Sequence, residues 1–192
     1  MPNMLRRGLV HALSGLSIVV AAYLLPRVWF LASLGGTTLL ILVFDIARLR
    51  SPRANALFFR HSESLLREQE ASRLTGATYL LVGSLAAFLA FPRDIAMLAV
   101  GFLAVGDPIA TIVGTYRGRT LLLGRTPEGD LACLLSCISV ALAFHYAGFD
   151  VRLPAALAGA VFATIAQAVR TPINDNLTMP LLAGLVMWLM AL

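Results

Sequence analysis

Read from the N-terminus, the chain alternates long apolar runs with short polar connections. Seven runs stand out, at roughly 8–25, 28–45, 75–92, 94–115, 129–147, 153–170 and 176–192. A membrane-spanning helix needs about 20 mostly apolar residues, so each run is a candidate span, several of them short. The pattern predicts an all-α fold: a polytopic transmembrane helical bundle of about seven spans, forming one domain over 1–192. The first run does not read as a cleaved leader, because it is long and more spans follow it.

One polar stretch, 46–73, is too patterned for a loop. Within it ANALFFRHSESLLREQEASR (54–73) sets Leu57, Phe58, Leu65 and Leu66 among Arg and Glu. Glu63 with Arg67 (i, i+4) and Glu70 with Arg73 (i, i+3) are spaced to pair on a helix. The segment predicts a helix near 55–73 lying along the cytoplasmic membrane surface.

Composition agrees. The 192 residues are 59% hydrophobic and 13% charged, against about 25% charged in soluble domains, and mean hydropathy is +0.83. The 15 basic residues are all Arg, and net charge is +5. In a membrane chain this surplus does not indicate a nucleic-acid partner, since positive charge collects in cytoplasmic loops. With the N-terminus in the cytoplasm, Arg6, Arg7, Arg48, Arg50, Arg53, Arg60, Arg67, Arg73, Arg117, Arg119, Arg125 and Arg170 fall inside, and Arg27, Arg93 and Arg152 outside. The bias predicts a cytoplasmic N-terminus and an external C-terminus. Cys133 and Cys137, spaced i, i+4 in an apolar run, read as packing residues.

Candidate chemistry lies in two polar elbows on the predicted cytoplasmic side. The first is GDPIATIVGTYRGRTLLLGRTPEGD (106–130). Asp107 belongs to the fourth run, where an ionisable group is costly and usually functional. Gly106, Ala110, Gly114 and Gly118 recur every fourth residue, a stripe that admits a neighbouring helix or a ligand. In Gly124-Arg125-Thr126-Pro127-Glu128-Gly129, Thr126 and Pro127 predict the N-cap and first position of a helix. Helix N-termini attract phosphate, and the Arg125 fork suits phosphate oxygens. The same residues also fit a plain capped helix beside a cytoplasmic Arg. The second elbow is TPINDNLTMP (171–180), which repeats the Thr-Pro turn and follows it with Asn174, Asp175 and Asn176. Topology allows Asp107 and Asp175 to face each other. Two carboxylates with amide oxygens nearby suit Mg²⁺ shared with phosphates. His11 lies about one turn inside the first run, toward the same leaflet, as a substrate contact or a polar packing residue.

Taken in order, Gly106-Asp107-x-x-Ala110-x3-Gly114, Gly124-Arg125-Thr126-x-Glu128-Gly129 and Asp175-Asn176-Leu177-x-x-Pro180 resemble the signature of the dolichol kinase family, which includes phytol kinases and CTP-dependent diacylglycerol kinases. The resemblance covers most of 60–182. It also takes in Glu70-x-x-Arg73-x-Thr75-Gly76-Ala77 and, more weakly, Arg6-Arg7-x3-His11. It implies a membrane kinase that moves the γ-phosphoryl group of CTP to the hydroxyl of a lipid alcohol: a polyprenol, a phytol-type isoprenoid alcohol or diacylglycerol. It further implies a CTP site within Gly114–Gly129, comprising Gly114, Gly118, Gly124, Arg125, Thr126, Glu128 and Gly129. Asp107, Asp175 and Asn176 would form the catalytic group, with Mg²⁺ on Asp107 and Asp175. His11, Glu70, Arg73 and Asn174 would contact or support substrate. Two positions depart from the family pattern: Arg125 stands where Lys is usual, and Gln167 where Glu often precedes the Asp-Asn pair. Two other readings compete, a phosphatidate cytidylyltransferase-like enzyme attacking the α-phosphate and a non-catalytic transporter or scaffold with a polar cavity. The sequence leaves the alcohol and the oligomeric state open.

Overall fold

The structure, a computed structural model, describes residues 2–62, 66, 68–119, 125–169 and 173–192. Among these residues the chain forms α-helices, one short 3-10 turn (Glu68–Ala71) and no β-strand. The helices are α1 (Pro2–Leu24), α2 (Arg27–Arg50), α3 (Pro52–Ser62), α4 (Gly76–Ala90), α5 (Arg93–Arg117), α6 (Pro127–Tyr146), α7 (Leu153–Ala168) and α8 (Asp175–Leu189). Every apolar run is helical. Among the described residues four stretches are long and apolar enough to cross a membrane: Asn3–Leu24, Arg27–Arg50, Arg93–Arg117 and Pro127–Tyr146. Helices α4, α7 and α8 are apolar but have only 15, 16 and 15 residues. At 1.5 Å per residue they measure about 22–24 Å, against a hydrocarbon core of about 30 Å.

Local chemistry sets the helix ends. Pro26 and Pro92 stand immediately before α2 and α5, and α6 and α7 carry Pro in their first turns, where a missing N–H costs nothing. The side chains of Thr75, Thr126 and Asn174 accept from the N–H groups of Thr78, Gly129 and Asn176, capping α4, α6 and α8. The Thr126-Pro127 helix start is as the sequence predicts.

The polar stretch differs from the expected continuous helix. Pro52 follows Ser51, so α2 ends at Arg50 and a separate helix, α3 (described over Pro52–Ser62), starts at once. Residues 68–71 then form the 3-10 turn. The Glu70 carboxylate does not simply complete a helical pair; it accepts from Gly76 N–H at 2.7 Å. The Glu63/Arg67 pairing lies outside the described residues.

Helix α5 is the axis of the bundle. Its residues from Ile95 to Ala104 are buried on every side, as expected of a uniformly apolar core helix. It packs against α6, α1, α8 and, less extensively, α4 and α7. Small residues permit the closest crossings. A Cβ on Gly15 of α1 would fall 2.5 Å from Ala104 Cβ, and one on Gly106 would fall 2.8 Å from Cys137 Sγ and 3.1 Å from Cys133 Sγ. The two cysteines are thus buried thiols packed on α5. Helices α1 and α2 expose rows of large apolar side chains, among them Leu9, Leu13, Val20, Val28, Trp29, Leu39 and Leu40, a surface suited to lipid rather than water. Helix α1 leans on α5 and barely touches α2 or α4.

Candidate functional site

A cavity of about 320 Å³ opens where the start of α1, the start of α4, the middle of α5 and the start of α8 converge. Asp107, Asp175, Asn174, Asn176, His11, Glu70 and Arg7 line its polar part; Met4, Val10, Phe58, Leu66, Leu80 and Ile112 line its apolar part. The structure therefore brings together Asp107 from the first elbow and the Asn174–Asn176 triplet from the second, as the predicted topology allows. Asp107 is 9% exposed, and its carboxylate is 4.0 Å from His11 Nε2. The following Pro108 lies within α5. Having no N–H, it denies Ala104 its usual helical donor at this point.

The three adjacent polar residues of the second elbow do different work. Asn174 Oδ1 accepts from Asn176 N–H at 3.0 Å and caps α8. Asp175 takes the Arg125 guanidinium in an ion pair, side chains about one-fifth exposed. Asn176 donates from Nδ2 to Gly76 O at 2.9 Å. Gly76 is thereby held from both sides, its N–H by Glu70 and its C=O by Asn176, which ties the start of α4 to the start of α8.

The remaining predicted residues form a second group behind the cavity wall. Gly114, Gly118, Arg125, Thr126, Glu128 and Gly129 do not line the cavity. They lie where the end of α5 meets the start of α6. A Cβ on Gly114 would come within 2.6 Å of Thr126 Oγ1, and one on Gly129 within 2.7 Å of Ala110 O. A Cβ on Gly118 would overlap Gly114 O and the Thr126 methyl. The small-residue stripe is thus occupied by α6. Glu128 Oε1 accepts from Arg119 N–H at 3.3 Å. Glu128 Oε2, Asp130 Oδ1 and Gln167 Oε1 are buried and have no hydrogen-bond partner among the described residues. Gln167 is 2% exposed. The Asp175–Arg125 pair joins this group to the cavity. Gly124, Thr171 and Pro172 lie outside the described residues. Arg73 is exposed and does not line the cavity; its carbonyl accepts from Arg48 at 2.8 Å.

The sequence reading missed the buried pair Asp45–Arg48 on α2. Arg48 donates to Asp45 Oδ1 (2.6 Å), Asn55 Oδ1 (2.7 Å), Glu70 O (3.1 Å) and Arg73 O (2.8 Å). Asp45 Oδ2 accepts from Thr75 N–H (2.7 Å), Thr75 Oγ1 (2.9 Å) and Thr78 Oγ1 (2.5 Å). The pair fastens α3 and the 70–75 segment, and with them Glu70, to the cavity wall. A signal was present: Asp45 sits at the end of an apolar run with Arg48 three residues on, the argument that singles out Asp107.

Among the described residues, no three His, Cys, Asp or Glu side chains gather as a metal cage. Mg²⁺ bound with a nucleotide needs only one or two protein carboxylates, since phosphates complete its shell. Asp107 and Asp175 in one cavity fit that lesser demand.

Fold and cavity together define an all-α chain with membrane-type helices and an acidic, partly apolar pocket at one end of its bundle. Comparison with known proteins adds two similarities. An uncharacterised protein of Rickettsia prowazekii is 23% identical over 162 residues, 81% of this chain and 79% of the relative. The CTP-dependent diacylglycerol kinase 1 of Eremothecium gossypii is 28% identical over 110 residues, 55% of this chain. That match spans 35% of the kinase's length. No protein-family model matches the chain, and no solved structure matches it. The partial similarity to a lipid kinase agrees with the resemblance carried by the three motifs.

Proposed function

We propose that this chain is a membrane lipid kinase that transfers the γ-phosphoryl group of CTP to the hydroxyl of a lipid alcohol. The observation that carries this reading is the convergence of Asp107, Asp175 and Asn176 on one cavity with an apolar extension. The partial similarity to a CTP-dependent diacylglycerol kinase supports the choice of donor and acceptor class.

In this reading the alcohol's head lies in the cavity, and the triphosphate lies across the Asp175–Arg125 pair toward the start of α6. The hydroxyl oxygen attacks the γ-phosphorus, the bond to the β–γ bridging oxygen breaks, and CDP leaves with that electron pair. Asp107 receives the hydroxyl proton, with the His11 ring beside it; a loose transition state asks little of a base. Arg125 and the N–H groups at the start of α6 neutralise charge on the transferring group. Mg²⁺ held by Asp107 and Asp175 would supply further charge neutralisation across the phosphates. The orphaned oxygens of Glu128 and Asp130 favour a cation or a donor-bearing ligand here, because a buried acceptor left unpaired is costly.

We place all seven apolar helices across the bilayer, N-terminus cytoplasmic and C-terminus external, with α3 along the cytoplasmic surface. The short helices α4 and α8 both begin at the site and fall about 8 Å short of the hydrocarbon thickness. In this placement the shortfall is taken at their starts, which then lie recessed from the cytoplasmic surface.

The test uses purified protein, Mg²⁺, a panel of lipid alcohols and CTP labelled at the γ or the α phosphate. γ-Label in the lipid upholds the reading and names the acceptor. α-Label alone makes the protein a cytidylyltransferase, and transfer of neither, with ATP also failing, overturns the kinase assignment.

A further inference from the structure

The cavity is not confined to its polar end. Val10 and Ser14 of α1 and Ala77 and Leu80 of α4 line it together, yet α1 and α4 hardly touch. Helix α1 is instead fastened to α5, with Gly15 against Ala104. The space between α1 and α4 is therefore a cleft with α5 as its floor. Its mouth faces outward through the side of the bundle: Val10 is 46% exposed, beside Leu9 at 60% and Leu13 at 58%. These flanks are surfaces suited to hydrocarbon.

Size and charge restrict the occupant. From Met4 to Ser14 the cavity follows α1 for about 15 Å. A volume of about 320 Å³ holds roughly ten water-sized groups, which is one chain rather than two abreast. At the inner end three carboxylates, Glu70, Asp107 and Asp175, face Arg7 and His11. Arg125 also reaches Asp175 from behind the wall, so the charges there are largely matched, and the carboxylate oxygens accept a hydroxyl, which can donate to them.

We infer that the α1–α4 cleft is the binding track for the tail of a single-chain lipid alcohol, entered sideways from the bilayer, with its hydroxyl at Asp107 and Asp175. This rests on the lipid-acceptor part of the proposed function and adds the route and the single chain.

A long-chain alcohol carrying a photoactivatable diazirine at mid-chain tests it, with the full chain in lipid nanodiscs and no nucleotide present. Cross-linked peptides are mapped by mass spectrometry. Labelling concentrates on the segments containing Val10, Ser14, Ala77 and Leu80. Ser14→Trp lowers it about tenfold, the scale expected of steric overlap in a filled site, and Leu16→Trp, at an exposed position off the cavity, leaves it unchanged. Excess unlabelled single-chain alcohol competes, and diacylglycerol at the same concentration competes less. Label spread evenly over the exposed faces of α1, α2 and α6 overturns the track. Equal competition by diacylglycerol overturns the single chain. Because no nucleotide is present, the map is independent of catalysis: cross-linking in the cleft without phosphoryl transfer defeats the kinase reading alone, and transfer without such cross-linking defeats the track alone.

Discussion

Replacing Arg48 with Met tests whether the Asp45–Arg48 pair holds the cavity wall in place. Both side chains are 1% exposed, and the guanidinium carbon lies 5.2 Å and 5.7 Å from the ring centres of Phe58 and Phe59. Met keeps much of the apolar stem, so the loss falls on hydrogen bonds and charge. Removing one partner of a buried pair costs about 3–5 kcal/mol. Asp45 would retain three donors on Oδ2, from Thr75 and Thr78, so its charge would not be abandoned. That places the cost near the lower end, about 3 kcal/mol. For a chain of this size the melting temperature falls about 2–4 °C per kcal/mol, giving about 6–12 °C. Thermal denaturation of the detergent-solubilised protein, read by size-exclusion chromatography, measures the shift. Arg48→Met combined with Asp45→Asn should cost less than the two separate losses added, because the residues share one network. A drop below about 3 °C for Arg48→Met would refute the reasoning, since it falls short of the buried-pair range.

Asp107→Asn should abolish phosphoryl transfer while the protein elutes and melts like the parent; near-normal turnover would remove Asp107 from the chemistry. Gly83→Ala should cost about 1–3 kcal/mol, because the added Cβ overlaps Asn176 O and lies 3.1 Å from Leu177 Cα. Gly36→Ala, with nothing within 4 Å of the new carbon, should instead raise stability by about 0.5–1 kcal/mol, and the two melting shifts should have opposite signs. Asn176→Ala removes the bond to Gly76 O at a buried position and should cost about 1–3 kcal/mol. Its turnover should fall at temperatures where it remains fully folded, as activity measured well below its melting point will show.

The helices were legible because a lipid-facing chain has few options: backbone groups out of water must bond within the segment, so each apolar run from 8–25 to 176–192 became a helix. Capping chemistry was legible for the same local reason, as Thr126-Pro127 shows. Helix lengths were not: the start of α4 depends on Thr75, which caps it and is held by Asp45 from 30 residues away. Ser51-Pro52 marks the boundary of α2 and α3, and the helix expected near 55–73 departs from the pattern where residues 68–71 take a 3-10 turn and Glu70 accepts from Gly76 N–H. The site was legible as a list of residues and illegible as two groups. Spacing cannot say whether a glycine stripe receives a ligand or a helix, and here Gly114, Gly118 and Gly129 meet Thr126 and Ala110. Nor can it show that Arg125 reaches Asp175, or that Arg48 binds carbonyls 22 and 25 residues away.

Three polar residues in succession at the start of α8 are more than a cap requires, and geometry gives the reason. Successive helical residues point about 100° apart, so neighbours at a helix start face different parts of a bundle. Asn174 turns back on its own helix, Asp175 meets Arg125 before α6, and Asn176 reaches Gly76 at the start of α4. Each direction meets a different part of the bundle, and no residue of the triplet can substitute for another without turning α8. Gly83 permits this arrangement by letting the Asn176 backbone lie against α4, where any side chain would collide. The start of α8 is thus a junction between the cavity and the Arg125 group, and a shift of α8 moves Asp175 relative to both Asp107 and Arg125 together. Rigidity at this junction is what the proposed chemistry would demand, since phosphoryl transfer depends chiefly on positioning and charge neutralisation.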